Sequence, residues 1–567
     1  MKTTTKRGVQ ITVELCVQAG MQYVVCSPGS RNAPLVIALN QHPKIKCIVI
    51  PDERCAAFFA LGMAQQLQGL VGIACTSGSA ALNYYPAIAE AYYQQIPLIV
   101  FTADRPVSWV NQGDGQTIVQ EDVYKNHILF ATTIPEENTL SDYDWFVNRE
   151  VSKAIQIAIG KVKGPVHLNF PFTEPLYNQV ELDEVKISPI SMVDTDEKLT
   201  PSALYLISES WKKYKKKLVL IGQLAPDEHL TNFLAKISED QSVVFLVENT
   251  ANQVNNRFVQ CIDRTLEGIS ELQLVDFEPD LLVVLGGAVV SKKIKAFLRK
   301  AQPKETWRIG YDFPFMDTYQ SMNQTFQMKP TTFFSQLGDV TDASSVSPYW
   351  KTWKQLDYIN QDKAELFLQS APYSDLKVFH LLSDIIPENS HLHLANSSVI
   401  RYAQLFNPIK GITTWSNRGT SGIDGSSSTT LGAALISSET WHTLITGDVS
   451  FFYDSNAFWN KLKLPNVRIF MINNAGGGIF KIIPGPDTTD ELADFFVYNH
   501  EFSAEYICKA FGVDYFKANS IEEIEAQWES FYQYDENGKP ALMEIFTPHD
   551  LNDGVLKAYF KSLTHKS

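Results

Sequence analysis

Residues 443–478 read TLITGDVSFFYDSNAFWNKLKLPNVRIFMINNAGGG, and this stretch decides the fold. Its two apolar runs, Thr443–Thr446 and Val467–Asn473, each end abruptly in polar residues and glycine, which is typical of strands in a parallel sheet. Asp448 follows the first run, and Asn474 follows the second, 26 residues later. Neighbouring parallel strands bring such residues to one carboxyl edge, where α/β proteins bind ligands. The stretch therefore predicts a polar ligand site at a sheet edge.

The residues at this edge suit a divalent cation. The Asp448 carboxylate, the Asn474 amide oxygen and the backbone carbonyl of Gly476 are hard oxygen donors, which Mg²⁺ prefers, with Mn²⁺ as the alternative ion. Glycines also allow the backbone to approach phosphate oxygens closely. Either half of the pattern alone would favour a helix cap at Asp448 or a plain turn at Asn474. Both halves together favour a metal–diphosphate site.

The same alternation of apolar strands and helical patterns extends over the whole chain. It predicts an α/β protein with three doubly wound, mainly parallel-sheet domains at residues 1–180, 200–337 and 350–567. The polar stretch Asn178–Pro201 is interpreted as a linker, and Gly338–Ser347 marks the second boundary. The predicted strands are Tyr23–Cys26, Cys47–Ile50, Leu70–Cys75, Leu98–Thr102, Val166–Phe170, Leu218–Ile221, Val243–Val247, Leu281–Gly286, Trp307–Tyr311, His391–Ala395, Thr443–Thr446, Val467–Asn473 and Ala541–Phe546.

Composition narrows the class of protein. A chain of 567 residues is too long for one core, and its net charge of −15 argues against nucleic acid or an anionic membrane as general partners. The seven cysteines are scattered without a CxxC pair, which indicates reduced thiols and a cytoplasmic location. No apolar run is long enough to span a bilayer, and the first residues carry no targeting signal.

Arginines recur after predicted strands despite the acidic composition. Because a guanidinium binds carboxylates through a planar fork, several converging arginines suit a substrate with several carboxylates. Each arginine alone would more often be a surface or ion-pair residue. Their shared position at strand ends favours binding of polyanions; they are Arg31, Arg105, Arg401 and Arg418.

The Gly-Asp…Asn-Asn pattern resembles the diphosphate motif of thiamine-diphosphate enzymes, although Val449 replaces the usual glycine after the Asp. The segments SPGSR, PDERCAAF, TSGSAALN, TADRP, NSSVIR, SNRGTSGIDG and NNAGGGIF are similar to those of one subfamily, the succinyl-enolpyruvyl-hydroxy-cyclohexene-carboxylate synthases of menaquinone biosynthesis. The resemblance covers all three predicted domains. It implies a pyrimidine-binding domain at 1–180, a central domain at 200–337 and a diphosphate/Mg²⁺-binding domain at 350–567.

The resemblance assigns cofactor residues. Glu53, which alone would be interpreted as a residue of a helix first turn, matches the catalytic glutamate that faces the pyrimidine N1′ of thiamine diphosphate. Ser77 and Gly78 match a loop beside the cofactor, although they could equally be only a helix N-cap. Ile423 matches an apolar wedge that bends the cofactor, while the structural alternative is a plain core residue.

The resemblance also assigns substrate residues. Ser30, Arg31, Arg105 and Gln116 would hold isochorismate, and Ser397, Arg401 and Arg418 would hold the succinyl part and its acceptor, with Arg401 and Arg418 also counted as catalytic. Lys292 matches a substrate lysine less closely, and Gly115 stands where relatives often carry Asn. No His follows the SPGSR turn, which disfavours the pyruvate decarboxylase branch.

The implied reaction is decarboxylation of 2-oxoglutarate followed by 1,4-addition of the succinyl-semialdehyde carbanion equivalent to isochorismate. The products are CO2 and 2-succinyl-5-enolpyruvyl-6-hydroxy-3-cyclohexene-1-carboxylate. The family also implies a homodimer or homotetramer whose sites use two subunits. Two alternatives remain open: another thiamine-diphosphate decarboxylase or acetolactate-synthase-like carboligase, and a non-catalytic cofactor-binding protein.

Overall fold

The computed structural model describes residues 2–137, 141–193, 195, 197–340, 347–536 and 538–564, apart from the side chain of Asp487. Three separate parallel sheets organise these residues, as the apolar patterning predicts. Among the described residues, no helix combines the length and apolar character needed to cross a membrane.

The first sheet has six strands, all parallel, in the order β3-β2-β4-β5-β7-β6. A separate antiparallel pair, β1 and β8, joins the start of the chain to the segment that follows the sheet. The strands are β1 (Lys2–Thr4), β2 (Tyr23–Cys26), β3 (Lys46–Val49), β4 (Val71–Cys75), β5 (Leu98–Asp104), β6 (Phe130–Thr133), β7 (Val166–Pro171) and β8 (Gln179–Glu181).

The central sheet has five parallel strands in the order β10-β9-β11-β12-β13. The strands are β9 (Lys217–Ile221), β10 (Val243–Val247), β11 (Leu281–Leu285), β12 (Glu305–Ile309) and β13 (Gln324–Phe326).

The third sheet has six parallel strands in the order β15-β14-β16-β17-β19-β18. When the strands of each sheet are counted in chain order from its own first strand, the third sheet has the same strand order as the first sheet. The strands are β14 (His391–Leu394), β15 (Thr413–Trp415), β16 (His442–Gly447), β17 (Val467–Asn473), β18 (Asp514–Ala518) and β19 (Ala541–Phe546). Each sheet with its covering helices is called a unit below: the first, the central and the third. The first and third units therefore present equivalent carboxyl edges.

Helices cover these sheets because the crossovers between parallel strands are mostly helical. In the first unit they are Arg7–Gln18, Ala33–Gln41, Glu53–Leu67, Ser79–Asn83, Tyr85–Gln94 and Tyr143–Ala158. In the central unit they are Pro201–Lys213, Glu228–Ile237, Ile262–Glu267, Leu274–Phe277, Lys292–Ala301 and Pro330–Gly338. In the third unit they are Tyr349–Ser370, Asp375–Ile385, Ser398–Ala403, Ser426–Ile436, Asp448–Tyr453, Ile479–Ile482, Glu505–Phe511, Ile521–Phe531 and Asn552–Leu563, with a π-helical turn at Leu492–Val497.

The stretch interpreted as a linker is in large part structured. Gln179–Glu181 pairs with Lys2–Thr4, and Val185 is buried in the core of the first unit. The amide N–H of Ser188 then donates to Asn148 of that unit over 2.6 Å. Asp194 and Asp196 of this stretch, and residues 341–346 of the second predicted boundary, lie outside the described residues.

One close helix pair locks the first unit to the third. Helix Glu53–Leu67 lies against helix Ser426–Ile436, and glycine permits the contact on both sides. A Cβ atom at Gly62 would lie 1.9 Å from the carbonyl oxygen of Thr429, and one at Gly432 would lie 1.9 Å from that of Phe59. Because both neighbours are backbone atoms, neither can rotate away. The helix that carries Glu53 is thereby held in a fixed place.

Gly62→Ala is expected to destabilise the protein by about 1–3 kcal/mol, because the added methyl group overpacks a backbone contact. Gly554→Ala is the matched control, since Gly554 also lies in a helix but has open space around its Cβ position. Gly554→Ala is expected to stabilise the protein by about 0.5–1 kcal/mol. Thermal unfolding followed by intrinsic fluorescence measures both, and a Gly62→Ala midpoint at or above wild type would contradict the packing.

Candidate functional site

Asp448 lies at the carboxyl edge of the third sheet, as the sequence predicts. It is the residue directly after β16, is 2% exposed, and begins helix Asp448–Tyr453. Its Oδ1 accepts from the N–H of Val449 over 2.7 Å, and its Oδ2 accepts from the N–H of Gly476 over 2.9 Å. The carboxylate is thus tied to the turn that follows the neighbouring strand, β17.

That turn has a backbone that requires glycine. Gly476 has φ +144°, and a Cβ there would lie 2.6 Å from the carbonyl oxygen of Val497. Ala475 before it has φ 63°, the left-handed region that a side chain disfavours. The carbonyl of Gly476 accepts a 2.9 Å hydrogen bond from the N–H of Gly478, which leaves its second lone pair available.

Asn474 presents its amide oxygen for a further bond. Its Nδ2 donates to Asp375 over 2.8 Å, while its Oδ1 accepts no hydrogen bond from the described residues. Among those residues, no three His, Cys, Asp or Glu side chains converge as a metal site. A cation here would therefore need amide and carbonyl oxygens beside Asp448, and Asn474 and Gly476 carry them. This donor set fits Mg²⁺ together with diphosphate oxygens.

Two histidines near this turn were not singled out from the sequence. His500 Nε2 lies 3.4 Å from Asp448 Oδ2 and is buried with no hydrogen-bond partner in the described part of the chain. His549 Nδ1 lies 2.8 Å from the carbonyl oxygen of Asn474. Both lie far along the chain from the motif, so no local pattern could have indicated them.

Glu53 begins the helix Glu53–Leu67 at the carboxyl edge of the first sheet. The neighbouring residue Asp52 caps this helix, since its Oδ1 accepts from the N–H of Cys55 over 3.1 Å. Glu53 is half-buried, and the one hydrogen bond that it accepts from the described residues is long, 3.3 Å from Asn83 Nδ2. Capping therefore does not explain Glu53, and its carboxylate remains available to a ligand.

The loop Thr76–Ser79 follows β4 at the same carboxyl edge of the first sheet as Glu53, and it has unsatisfied polar atoms. The hydroxyls of Thr76 and Ser77 are both buried without a hydrogen-bond partner among the described residues. Gly78 has φ +83°, and a Cβ there would meet the backbone of Gln116 at 3.1 Å. The loop that carries Ser77 and the loop that carries Gln116 are thus in contact.

Ile423 is not a core residue. Its side chain is 36% exposed, and its carbonyl accepts a 2.7 Å hydrogen bond from Ser450 Oγ, in the helix that Asp448 begins. The structural alternative of a buried isoleucine is therefore wrong. An exposed apolar side chain next to the Asp448 helix is consistent with the wedge expected from the family.

Arg31 and Arg105 form one cationic group at the edge of the first sheet. Burial, followed by the neighbouring Arg105 guanidinium, lowers the pKa of Arg31. Arg31 lies 3.3 Å from the exposed Glu174, and Arg105 lies 3.3 Å from Asp114. The Nε atoms of both arginines are buried, and no described residue accepts a hydrogen bond from them. Ser30 precedes this group and is exposed.

Arg401 and Arg418 form a second group, at the edge of the third sheet. Burial lowers the pKa of both guanidinium groups, and the carboxylate of Glu248 from the central unit opposes this shift in each. Arg418 donates to Asn396 Oδ1 over 2.6 Å. The Nε atoms of both arginines are buried and have no acceptor among the residues that the structure describes. Ser397, with φ 71°, starts the helix that carries Arg401.

Glu248 is a central-unit residue that the sequence patterns did not indicate. It follows β10, is 2% exposed, and accepts from the N–H groups of Val290 and Ser291 over 2.7 and 2.8 Å. Burial raises its pKa to about 7. Its carboxylate holds the start of helix Lys292–Ala301 and attracts Arg401 and Arg418 of the third unit through its charge.

Lys295 is a second central-unit residue near the arginines that the sequence patterns did not indicate. Lys292 is exposed, whereas Lys295, three residues later on the same helix, is half-buried and lies near Glu248, Arg401 and Arg418. Its Nζ donates to the carbonyl of Val289 over 2.6 Å. Positions three apart share a helix face, so the spacing from Lys292 could have indicated it.

Comparisons with known proteins match two regions of the chain to family profiles. A family profile described as "Thiamine pyrophosphate enzyme, N-terminal TPP binding domain" matches residues 6–124, and one described as "Middle domain of thiamine pyrophosphate" matches residues 196–394.

Three relatives that match over nearly their whole length are named 2-succinyl-5-enolpyruvyl-6-hydroxy-3-cyclohexene-1-carboxylate synthase. The relative from Flavobacterium johnsoniae is 42% identical over 98% of both chains, and that from Christiangramia forsetii is 43% identical over 97% of both. The relative from Desulfotalea psychrophila is 36% identical over 95% of this chain and 98% of its own.

Proposed function

The chain belongs to the thiamine pyrophosphate enzyme family and, within it, to the 2-succinyl-5-enolpyruvyl-6-hydroxy-3-cyclohexene-1-carboxylate synthases, and on this premise we propose the reaction that it catalyses. It decarboxylates 2-oxoglutarate and adds the resulting four-carbon unit to isochorismate, with release of CO2. The observation that carries this proposal is the presence of two arginine groups, buried at Arg31 and half-buried at Arg105, Arg401 and Arg418, at the same sheet edges as the cofactor residues.

Thiamine diphosphate, when bound, supplies an electron sink for the loss of CO2 and the nucleophilic carbon for the addition. Glu53 would hold a proton at the pyrimidine N1′. Its carboxylate is suited to this role because it is half-buried and is not used to cap the helix. Asp448, the Oδ1 of Asn474 and the carbonyl of Gly476 would hold Mg²⁺ against the diphosphate. Ser77, Gly78 and Ile423 would line the ring.

The arginine groups would orient the two anionic substrates. Arg31 and Arg105, with Ser30 and Gln116, would bind isochorismate, and Arg401 and Arg418, with Ser397, would bind the succinyl carboxylate. Each of the four arginines has a buried Nε that lacks a partner among the described residues. An unpaired buried donor is costly, so a bound carboxylate would supply the missing acceptor.

The central unit would contribute to the second group. Lys295 would add a third cation for the succinyl carboxylate, a role for which it is better placed than the exposed Lys292. We also propose that the enzyme acts in the cytoplasm as a homodimer or homotetramer whose sites combine the first unit of one copy with the third unit of another. The seven free cysteines support a reducing compartment.

The direct test is an assay of the purified protein with 2-oxoglutarate, isochorismate, Mg²⁺ and thiamine diphosphate. We expect consumption of isochorismate that requires 2-oxoglutarate and yields one CO2 for each molecule consumed. Condensation with pyruvate but not with 2-oxoglutarate would instead favour an acetolactate-synthase-like activity.

Arg401→Met is expected to lower kcat/KM for 2-oxoglutarate about 100-fold or more, which corresponds to roughly 3 kcal/mol, because it removes one of the three cations proposed to bind the succinyl carboxylate. Arg149→Met is the control, since Arg149 is a half-buried arginine in the first unit whose guanidinium lies 4.5 Å from the centre of the Trp145 ring, away from the proposed site. Steady-state kinetics with each substrate varied in turn measures the change. Equal effects of the two substitutions would contradict the assignment of Arg401.

A further inference from the structure

Asp375 lies directly behind the proposed metal site, although it is 99 residues from Asn474 in sequence. It begins helix Asp375–Ile385, which Ser374 caps, and it is 2% exposed. Its Oδ2 accepts from Asn474 Nδ2 over 2.8 Å, and its Oδ1 accepts from Thr547 Oγ1 over 2.6 Å. Both oxygens of this carboxylate are therefore used, and both partners follow strands of the third sheet.

The hydrogen bond to Asp375 decides which way the Asn474 amide faces. A carboxylate accepts hydrogen bonds and cannot donate them, so only the NH2 group of Asn474 can turn toward Asp375. The amide oxygen must then point the other way. That oxygen accepts nothing from the described residues, which leaves it for a cation.

We propose that Asp375 is a positioning residue that fixes the amide orientation of Asn474 and thereby makes its oxygen a metal ligand. This inference rests on the proposed metal site at Asp448 and Asn474. Such outer partners of ligands typically account for about 10–100-fold in metal affinity.

The proposal has an unusual consequence for Asn474→Asp. An added carboxylate at a ligand position would ordinarily tighten binding of a divalent cation through its charge. Here the new carboxylate would face that of Asp375 at the 2.8 Å separation of the present bond, and two such groups repel. We therefore expect Asn474→Asp to bind Mn²⁺ roughly tenfold or more weakly than wild type.

The reciprocal change should restore binding. In the double variant Asp375→Asn/Asn474→Asp, the amide at position 375 can donate to the carboxylate at position 474 and accept from Thr547. We expect its Mn²⁺ affinity to return to within about threefold of wild type, or to exceed it. Recovery by a second substitution is an outcome that general damage to the fold does not produce.

The experiment is a titration with Mn²⁺ in saturating thiamine diphosphate, with free Mn²⁺ measured by electron paramagnetic resonance, so that no turnover is needed. Asn519→Asp adds the same charge at an exposed site and should leave the affinity unchanged. Asn474→Asp binding as tightly as wild type, or a double variant no better than that single variant, would overturn the proposal.

Failure of a variant to fold also tests the proposal. If Asn474→Asp does not fold and the double variant does, the incompatibility of the two carboxylates is demonstrated. If neither folds, Asp375→Leu, which removes the acceptor, is compared with Asp375→Asn, which retains one; equal Mn²⁺ affinities would refute the positioning role, and a loss confined to Asp375→Leu would support it.

Asp448→Asn separates this inference from the proposed site. If Asp448→Asn binds Mn²⁺ like wild type, the metal site itself is misplaced. If Asp448→Asn loses Mn²⁺ and the Asp375 and Asn474 variants all bind normally, only the positioning role of Asp375 fails.

Discussion

Glu53→Gln should reduce turnover by about 10²–10⁴-fold while the protein still binds Mg²⁺ and thiamine diphosphate. The amide keeps the size of the side chain but cannot exchange a proton with the pyrimidine N1′. Binding should persist because the proposed metal and diphosphate residues stand at the edge of a different sheet, after β16 and β17. The measurement pairs steady-state turnover with cofactor binding followed by tryptophan fluorescence.

Asp52→Asn is the matched control for Glu53→Gln. It makes the same acid-to-amide change one residue earlier, where the side chain caps the helix and contacts Asn456 over 2.8 Å. Since Asn caps helices about as well as Asp, activity should be retained. Full activity in Glu53→Gln, or equal losses in both variants, would remove Glu53 from the proposed chemistry.

Mixing two inactive variants should restore activity if each site is built from two copies of the chain. Glu53→Gln damages the first unit and Asp448→Asn damages the third. In a twofold-symmetric dimer that contains one chain of each kind, one site carries both substitutions and the other carries neither. Co-expression with two affinity tags and purification through both should therefore yield about half of the wild-type activity per dimer.

The same mixture tests the opposite arrangement. If Glu53 and Asp448 of one chain served the same site, every site in the mixed dimer would carry one substitution and no activity would return. Dimers that carry Glu53→Gln in both chains, tagged and purified in the same way, give the background. Activity of the mixed dimer at that background would contradict a shared site.

The sequence was sufficient for the parts of the site that stand at strand ends. Central strands of a parallel sheet are buried on both faces and therefore form continuous apolar runs, which is why Val467–Asn473 and Ala541–Phe546 match their predicted bounds. Val243–Val247 also matches its predicted bounds, because this edge strand is buried along its whole length. Asp448, Asn474 and Glu53 were placed at sheet edges for the same reason. The edge strands β6, β13, β15 and β18 were missed because they are short or only partly buried.

The tertiary structure alone decided which residues support that site. Asp375 reaches Asn474, and Glu248 reaches the loop before helix Lys292–Ala301, across long separations in sequence. Only the folded chain assigns the helix cap to Asp52 and leaves Glu53 out of it. Local patterns report the periodicity of one element and the residue type at its end, whereas these contacts depend on how separate elements pack, which no short stretch of sequence contains.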